Sequence, residues 1–173
     1  VTNTDQASVH TCMSYGPNYY RTLDGLEFMF AGRCTYTAYQ DTFRSVVVTM
    51  KDCERYQTCG KRLDIHLNNK DNVIATGSDI VVNDKKVGKL KVSSKHDYEA
   101  NPCHLHRAVL IEMRGDEYYL EYGTMRIRWD ALNMWMITMD EETRTAGSRN
   151  VRGLCGNFDG DPLSKLILFT ARY

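Results

Sequence analysis

The sequence predicts an all-β chain, an antiparallel β-sandwich of many short strands. Three observations carry that expectation: period-two alternation of apolar and polar residues, runs rich in β-branched and aromatic side chains, and short polar connections marked by Gly, Asp and Asn. No segment needs a helix of more than two turns to explain it. Strand signals recur from about residue 26 onward. "FRSVVVTMK" is a β-branched run. "KRLDIHLN" alternates Leu63, Ile65 and Leu67 with Arg62, Asp64 and His66, the pattern of a half-buried strand. "NVIATGSDIVVN" and "KVGKLKVS" follow, with a turn predicted at "NDKK", residues 83–86. "AVLIEMR" and "EYYLEYG" form the next pair, with "RGDE" at 114–117 as the hairpin turn between them. "TMRIRWD" sets Met125, Ile127 and Trp129 against Arg126, Arg128 and Asp130. "NMWMITMD" hardly alternates, which predicts a strand buried on both faces and packed in the core rather than lining a ligand pocket or facing lipid. The polar "EETRTAGSRNVRG" then reads as a loop leading to Cys155.

Composition narrows the functional classes. A chain of 173 residues with 42% hydrophobic content suits one domain with its own core. The 22 basic and 22 acidic residues balance, so no net charge steers the chain toward nucleic acid. No apolar run approaches the roughly 20 residues that span a bilayer. Neither an initiating Met nor a signal-like segment stands at Val1, so the chain reads as a mature fragment of something longer.

Six cysteines, Cys12, Cys34, Cys53, Cys59, Cys103 and Cys155, are spread widely, and no C-x-x-C pair occurs. That favours a disulfide-stapled fold in an oxidising, secreted or extracellular compartment over a zinc ribbon or a thioredoxin-like motif. Six cysteines admit fifteen pairings, which spacing alone does not resolve.

Catalytic constellations are poorly supported, because no G-x-S-x-G elbow and no phosphate-cradling glycine loop is present. His104 and His106 in "CHLH" would share a strand face and offer a weak zinc signal; two ordinary histidines are the simpler reading. "RGD" is better explained as a turn than as a receptor-binding tip. The richest stretch is "GLCGNFDGDPLSK", where Asn157, Asp159 and Asp161 put oxygen side chains at every second position. It is not an EF-hand, since Gly160 falls at the fourth position and Leu168 at the twelfth. Ca²⁺ takes about 6–8 oxygens, more than such a loop supplies, so a calcium site needs another carboxylate from elsewhere in the chain.

"CMSYGPNYYRTLDGLEFMFAGRCTY", together with "GLCGNFDG", resembles the two ends of a von Willebrand factor type D domain. The opening pattern is carried by Gly16, Tyr20, Thr22, Leu23, Asp24, Gly25, Gly32, Cys34 and Tyr36, and the closing pattern is intact from Gly153 to Gly160. The resemblance implies one such domain over residues 1–173, with its core at about 10–165. It implies a bridge Cys12–Cys155 joining the two ends and a short bridge Cys53–Cys59. Cys34 is left either to Cys103 or to a partner outside the chain. It also implies a calcium site near the C-terminal end made by Asp24, Asn157 and Asp159, with Asp161 adding a carbonyl or carboxylate.

Two departures bear on these expectations. Relatives usually carry Asn or Asp where Ser164 and Lys165 stand, so an acidic ligand is lost and a positive charge gained. A unit charge 4 Å from another is worth about 4 kcal/mol at an effective dielectric near 20 and about 1 in water, so the direction Lys165 takes decides the affinity. "GPNYY" also lacks the Asp-Pro bond that self-cleaves in certain mucins. The expected function is a non-enzymatic extracellular module, of matrix, mucin-like, adhesive or signalling-modulator type, stabilised by Ca²⁺ and contacting other extracellular proteins or neighbouring modules of its own chain. The alternative is the tail module of a yolk or haemolymph lipid-transport protein.

Overall fold

The alternation in the sequence becomes fourteen strands among the described residues. The computed structural model describes residues 8–15, 18–53, 57–67, 71–87, 95–98, 109–130, 134–145 and 150–163; for 51–53, 57–61, 87, 95–98, 109–110 and 145 only the backbone path is described. In chain order the strands are β1 Val9–Tyr15, β2 Tyr19–Arg21, β3 Glu27–Met29, β4 Thr35–Gln40, β5 Arg44–Cys53, β6 Gln57–Leu67, β7 Asp71–Thr76, β8 Asp79–Val82, β9 Lys85–Val87, β10 Lys95–Tyr98, β11 Val109–Arg114, β12 Glu117–Tyr122, β13 Met125–Asp130 and β14 Trp135–Asp140. One helical turn, α1 Glu141–Thr145, follows. The strands form two antiparallel sheets, one of eight strands in the order β10-β11-β12-β13-β14-β1-β2-β3 and one of six in the order β4 to β9.

One continuous apolar cluster joins the inner faces of both sheets, as the sandwich expectation requires. Val46, Val48, Ile65, Leu67 and Val73 come from the six-stranded sheet, and Ile111, Leu120, Ile127, Ile137 and Met139 from the eight-stranded one. Each side chain of this size, fully buried, contributes about 1.5–3 kcal/mol, so the core outweighs any single surface contact.

Turn chemistry fixes the register. Asn83 and Asp84 both have positive φ, 47° and 64°, as a two-residue type I′ hairpin demands. Gly115 (φ 60°) opens the predicted turn between β11 and β12. Beside it, Arg114 donates to Glu112 Oε2 at 2.7 Å and lies 4.6 Å from the Tyr119 ring centroid, so the Arg of "RGD" is tied to the sheet. Asp41 starts β5 by accepting the Phe43 and Arg44 amides on Oδ1, while Oδ2 takes the Tyr39 hydroxyl and the Arg44 guanidinium.

Several expectations needed correction. Strands begin at Val9, not near residue 26, and β1 lies inside the larger sheet between β14 and β2. Its core placement comes from those two neighbours, since polar Thr11 and Ser14 blur its alternation. β14 is not buried on both faces: Trp135, Ile137 and Met139 are buried, while Met136 and Thr138 are half-buried. Met136 is opposite Met13 and Arg128, so its outward side is covered by long neighbours rather than by a second layer. Asp64 is buried instead of solvated, held by Arg62 through Nε at 2.9 Å and Nη2 at 2.6 Å. The polar segment after β14 opens with α1, where a loop was expected, and residues 146–149 lie outside the described residues. His104 and His106, and all of "KVGKLKVS" after Val87, lie outside the described residues.

Among the described residues no helix is long and apolar enough to cross a membrane.

Candidate metal centre

Two chain ends meet through one disulfide. Cys12, in the middle of β1, is bonded to Cys155, and both are fully buried. Around Cys155 the terminal segment lies along β4, the edge strand of the smaller sheet. Gln40 and Arg152 exchange backbone hydrogen bonds, Leu154 N–H donates to Thr37 O at 3.0 Å, and Cys155 N–H donates to Ala38 O at 2.8 Å. The register of β4 slips between Thr37 and Tyr39, the bulge from which those two carbonyls point to the segment. The segment thus covers an otherwise open edge, and the disulfide ties that edge to the other sheet. Gly153 permits the approach: its φ is 120°, and a Cβ there would stand 2.6 Å from Thr37 O and 2.7 Å from Ala38 O.

The other part of the site is the turn after β2. Thr22 Oγ1 accepts the Leu26 amide at 3.0 Å, and Thr22 O accepts Gly25 N–H at 3.1 Å, so the turn holds Asp24 in place. Leu23 N–H donates to Cys155 O at 3.0 Å, which pins this turn to the segment carrying the disulfide. Asp24 then reaches across: Oδ1 accepts Gly160 N–H at 2.9 Å and Oδ2 accepts Asp159 N–H at 3.2 Å.

Within the loop, Asp159 Oδ2 accepts Asn157 Nδ2–H at 2.7 Å and Oδ1 accepts the Asp161 amide at 2.8 Å; Asp161 Oδ1 accepts Leu163 N–H at 2.9 Å. Phe158 is buried at φ 53° and anchors the loop, its ring edge-on to His10 with centroids 5.0 Å apart. Burial pushes the Asp24 carboxyl above the usual carboxylate range, the Asp159 charge adds to that, and the Gly160 and Asp159 amides oppose it.

The structure sets the Asp24 carboxylate on the Asp159 and Gly160 amides, and Asn157 on Asp159. It does not gather Asp24, Asp159 and Asp161 into one three-carboxylate cluster; among the described residues no three His, Cys, Asp or Glu side chains are grouped closely enough to hold a metal ion. The donor set still fits a hard divalent cation in kind: it is all oxygen, and two of its carboxylates already repel one another. Ser164 and Lys165 lie outside the described residues.

The remaining cysteines divide. Cys34 is an exposed free thiol, and Cys103 lies outside the described residues. Cys34 sits just before β4, away from the core that encloses Cys12 and Cys155. Cys53 and Cys59 are on adjacent strands, Cys53 opposite Gln57 and Cys59 opposite Lys51; their side chains are outside the described set.

Sequence reasoning missed three neighbours of the loop, His10, Glu141 and Arg144. Glu141 accepts from Arg144 Nε at 2.7 Å and also binds Arg144 Nη2 and His10 Nε2. Arg144 holds the Glu141 carboxyl below the usual range despite an opposing desolvation effect. The one local signal was the acid–base spacing of "EETR"; its link to the loop is tertiary.

Residues 12–168 match the von Willebrand factor type D domain family. Mucin-19 of Mus musculus is 26% identical over 161 residues, covering 87% of this chain and 2% of its own length. Zonadhesin of Oryctolagus cuniculus is 30% identical over 157 residues, covering 87% of this chain and 6% of its own length. SCO-spondin of Gallus gallus is 29% identical over 154 residues, covering 87% of this chain and 3% of its own length. The chain thus spans a few per cent of the length of relatives matched across nearly all of it. With the opening and closing motifs joined by Cys12–Cys155 in a two-sheet fold, the chain belongs to the von Willebrand factor type D domain family.

Proposed function

We propose that residues 1–173 form one non-enzymatic, extracellular structural and interaction module of a much larger secreted protein, stabilised by Ca²⁺ at the joined ends. Its partners are neighbouring modules of the same chain or other extracellular proteins. The observation that carries the reading is the disulfide-pinned turn that sets the Asp24 carboxylate on the Asn157–Asp161 loop. Asp24, Asn157 and Asp159 would hold the ion, with Asp161 adding an oxygen. Bound Ca²⁺ would supply positive charge that offsets the repulsion between Asp24 and Asp159; it would clamp the first and last parts of the domain and drive no reaction. The mucin, zonadhesin and SCO-spondin relatives support the large extracellular context, and they lend no support to the lipid-carrier alternative.

Thermal unfolding in EDTA and in graded CaCl₂ tests the metal. A ligand that binds only the folded state at 100 times its Kd adds about 2.7 kcal/mol, so the midpoint should climb with concentration. An unchanged midpoint at millimolar Ca²⁺ would sink the metal reading and leave the family assignment intact.

A further inference from the structure

Helix α1 places a cation against the acidic loop. The Arg144 side chain commits Nε and Nη2 to Glu141 Oε1, which leaves Nη1 turned toward the loop. Nη1 lies against Gly160: a Cβ built on that glycine would come within 2.8 Å of it. Gly160 is the residue whose amide holds Asp24 Oδ1, so the guanidinium and the Asp24 carboxylate flank one peptide unit. Glu141 does most to keep Arg144 protonated, and the Asp24 charge adds to it. The Arg144 side chain is 34% exposed, enough to screen its field in part but not to remove it. Its position is set from behind, because Glu141 also binds His10 Nε2 and His10 packs on Phe158 of the same loop.

We propose that Arg144 is the loop's built-in counter-cation: it stabilises the folded acidic loop when no divalent ion is bound, and it lowers the loop's affinity for one. The inference rests on the Ca²⁺ reading above. Arg144 is a positioning residue in this scheme and not a ligand, and it makes occupancy depend on a high surrounding Ca²⁺ concentration. Without Arg144 the loop would be less stable metal-free and bind Ca²⁺ more tightly. A unit charge about 8 Å from a divalent ion in water changes the binding constant about fivefold.

The experiment compares wild type, Arg144→Gln and Arg144→Lys by Ca²⁺ calorimetry and by thermal unfolding in EDTA. The expected result is a lower midpoint for Arg144→Gln in EDTA, a Kd for Ca²⁺ about fivefold lower, and restoration of both toward wild type by Arg144→Lys. A Gln variant that loses the same number of degrees with and without Ca²⁺, at unchanged Kd, makes Arg144 merely structural and overturns the proposal. Equal midpoints for wild type and Arg144→Gln in EDTA overturn it as well. Absence of Ca²⁺ binding by all three proteins overturns the metal reading and, with it, the claim on affinity.

Discussion

Replacing both halves of the bridge, Cys12→Ala with Cys155→Ala, tests how the terminal segment is held. The bonded cysteines are 143 residues apart, and by loop-closure entropy a cross-link of that span stabilises by about 5 kcal/mol, with enthalpic and solvation effects able to change the figure. For a domain of this size 1 kcal/mol corresponds to about 2–4 °C, so the midpoint should fall by about 10–20 °C. The structure adds a directional consequence. Cys155 is the point at which the segment bonded to Thr37 and Ala38 is tied to β1, so the double variant should loosen residues 150–163 first. Scanning calorimetry gives the midpoint, and amide exchange gives the order of opening, with Leu154 and Gly160 losing protection before Ile137. A fall of less than about 5 °C, or uniform loss of protection across both sheets, would show that β4 holds the segment without the disulfide.

Other predictions follow from single residues. Burial works against the Asp41 charge, yet the Tyr39 hydroxyl, the Arg44 guanidinium and the Phe43 amide hold its carboxyl below the usual range. Its stabilisation is then complete above about pH 4 and is lost as pH falls through the lowered folded value. Asp41→Asn should therefore cost about 3 kcal/mol near neutrality, as for a broken buried pair, and the gap to wild type should close in urea melts below about pH 4. Gly153→Ala should cost well over about 1 kcal/mol by equilibrium unfolding, because its Cβ would strike two β4 carbonyls at a φ of 120°; a neutral result would contradict the packing of the segment on β4. Iodoacetamide added to the folded, unreduced protein should alkylate the peptide bearing Cys34 and spare Cys12 and Cys155, as read by mass spectrometry.

The sheets were legible where one face of a strand is buried and the other is wet. "TMRIRWD" alternates in sequence and alternates in the structure. β1 was harder to read because polar Thr11 and Ser14 interrupt its alternation, while pairing with β14 and β2 sets its place inside the sheet. Asp64 defeated the period-two reading because a neighbouring arginine neutralises it in place, a compensation that alternation cannot register. At the site, oxygen spacing pointed to Asn157, Asp159 and Asp161, and the family motif brought in Asp24. The helix that faces them did not emerge, since Arg144 and Gly160 are adjacent only after β14, α1 and the terminal segment have packed. Asp161 also turned out to bond the Leu163 amide, a local turn contact that competes with convergence on a shared ion.

The proposed cation site depends on Asp24, which the disulfide-joined ends set on the loop. Asp24→Asn removes that charge and keeps an oxygen able to accept the Gly160 amide. Equilibrium binding of ⁴⁵Ca²⁺ to wild type and to this variant, with circular dichroism to establish that both are folded, measures the claim directly. The expected result is one saturable ion per wild-type chain and at least tenfold weaker binding by Asp24→Asn, about 1.4 kcal/mol or more. Equal binding by the two proteins would place the ion elsewhere and contradict it.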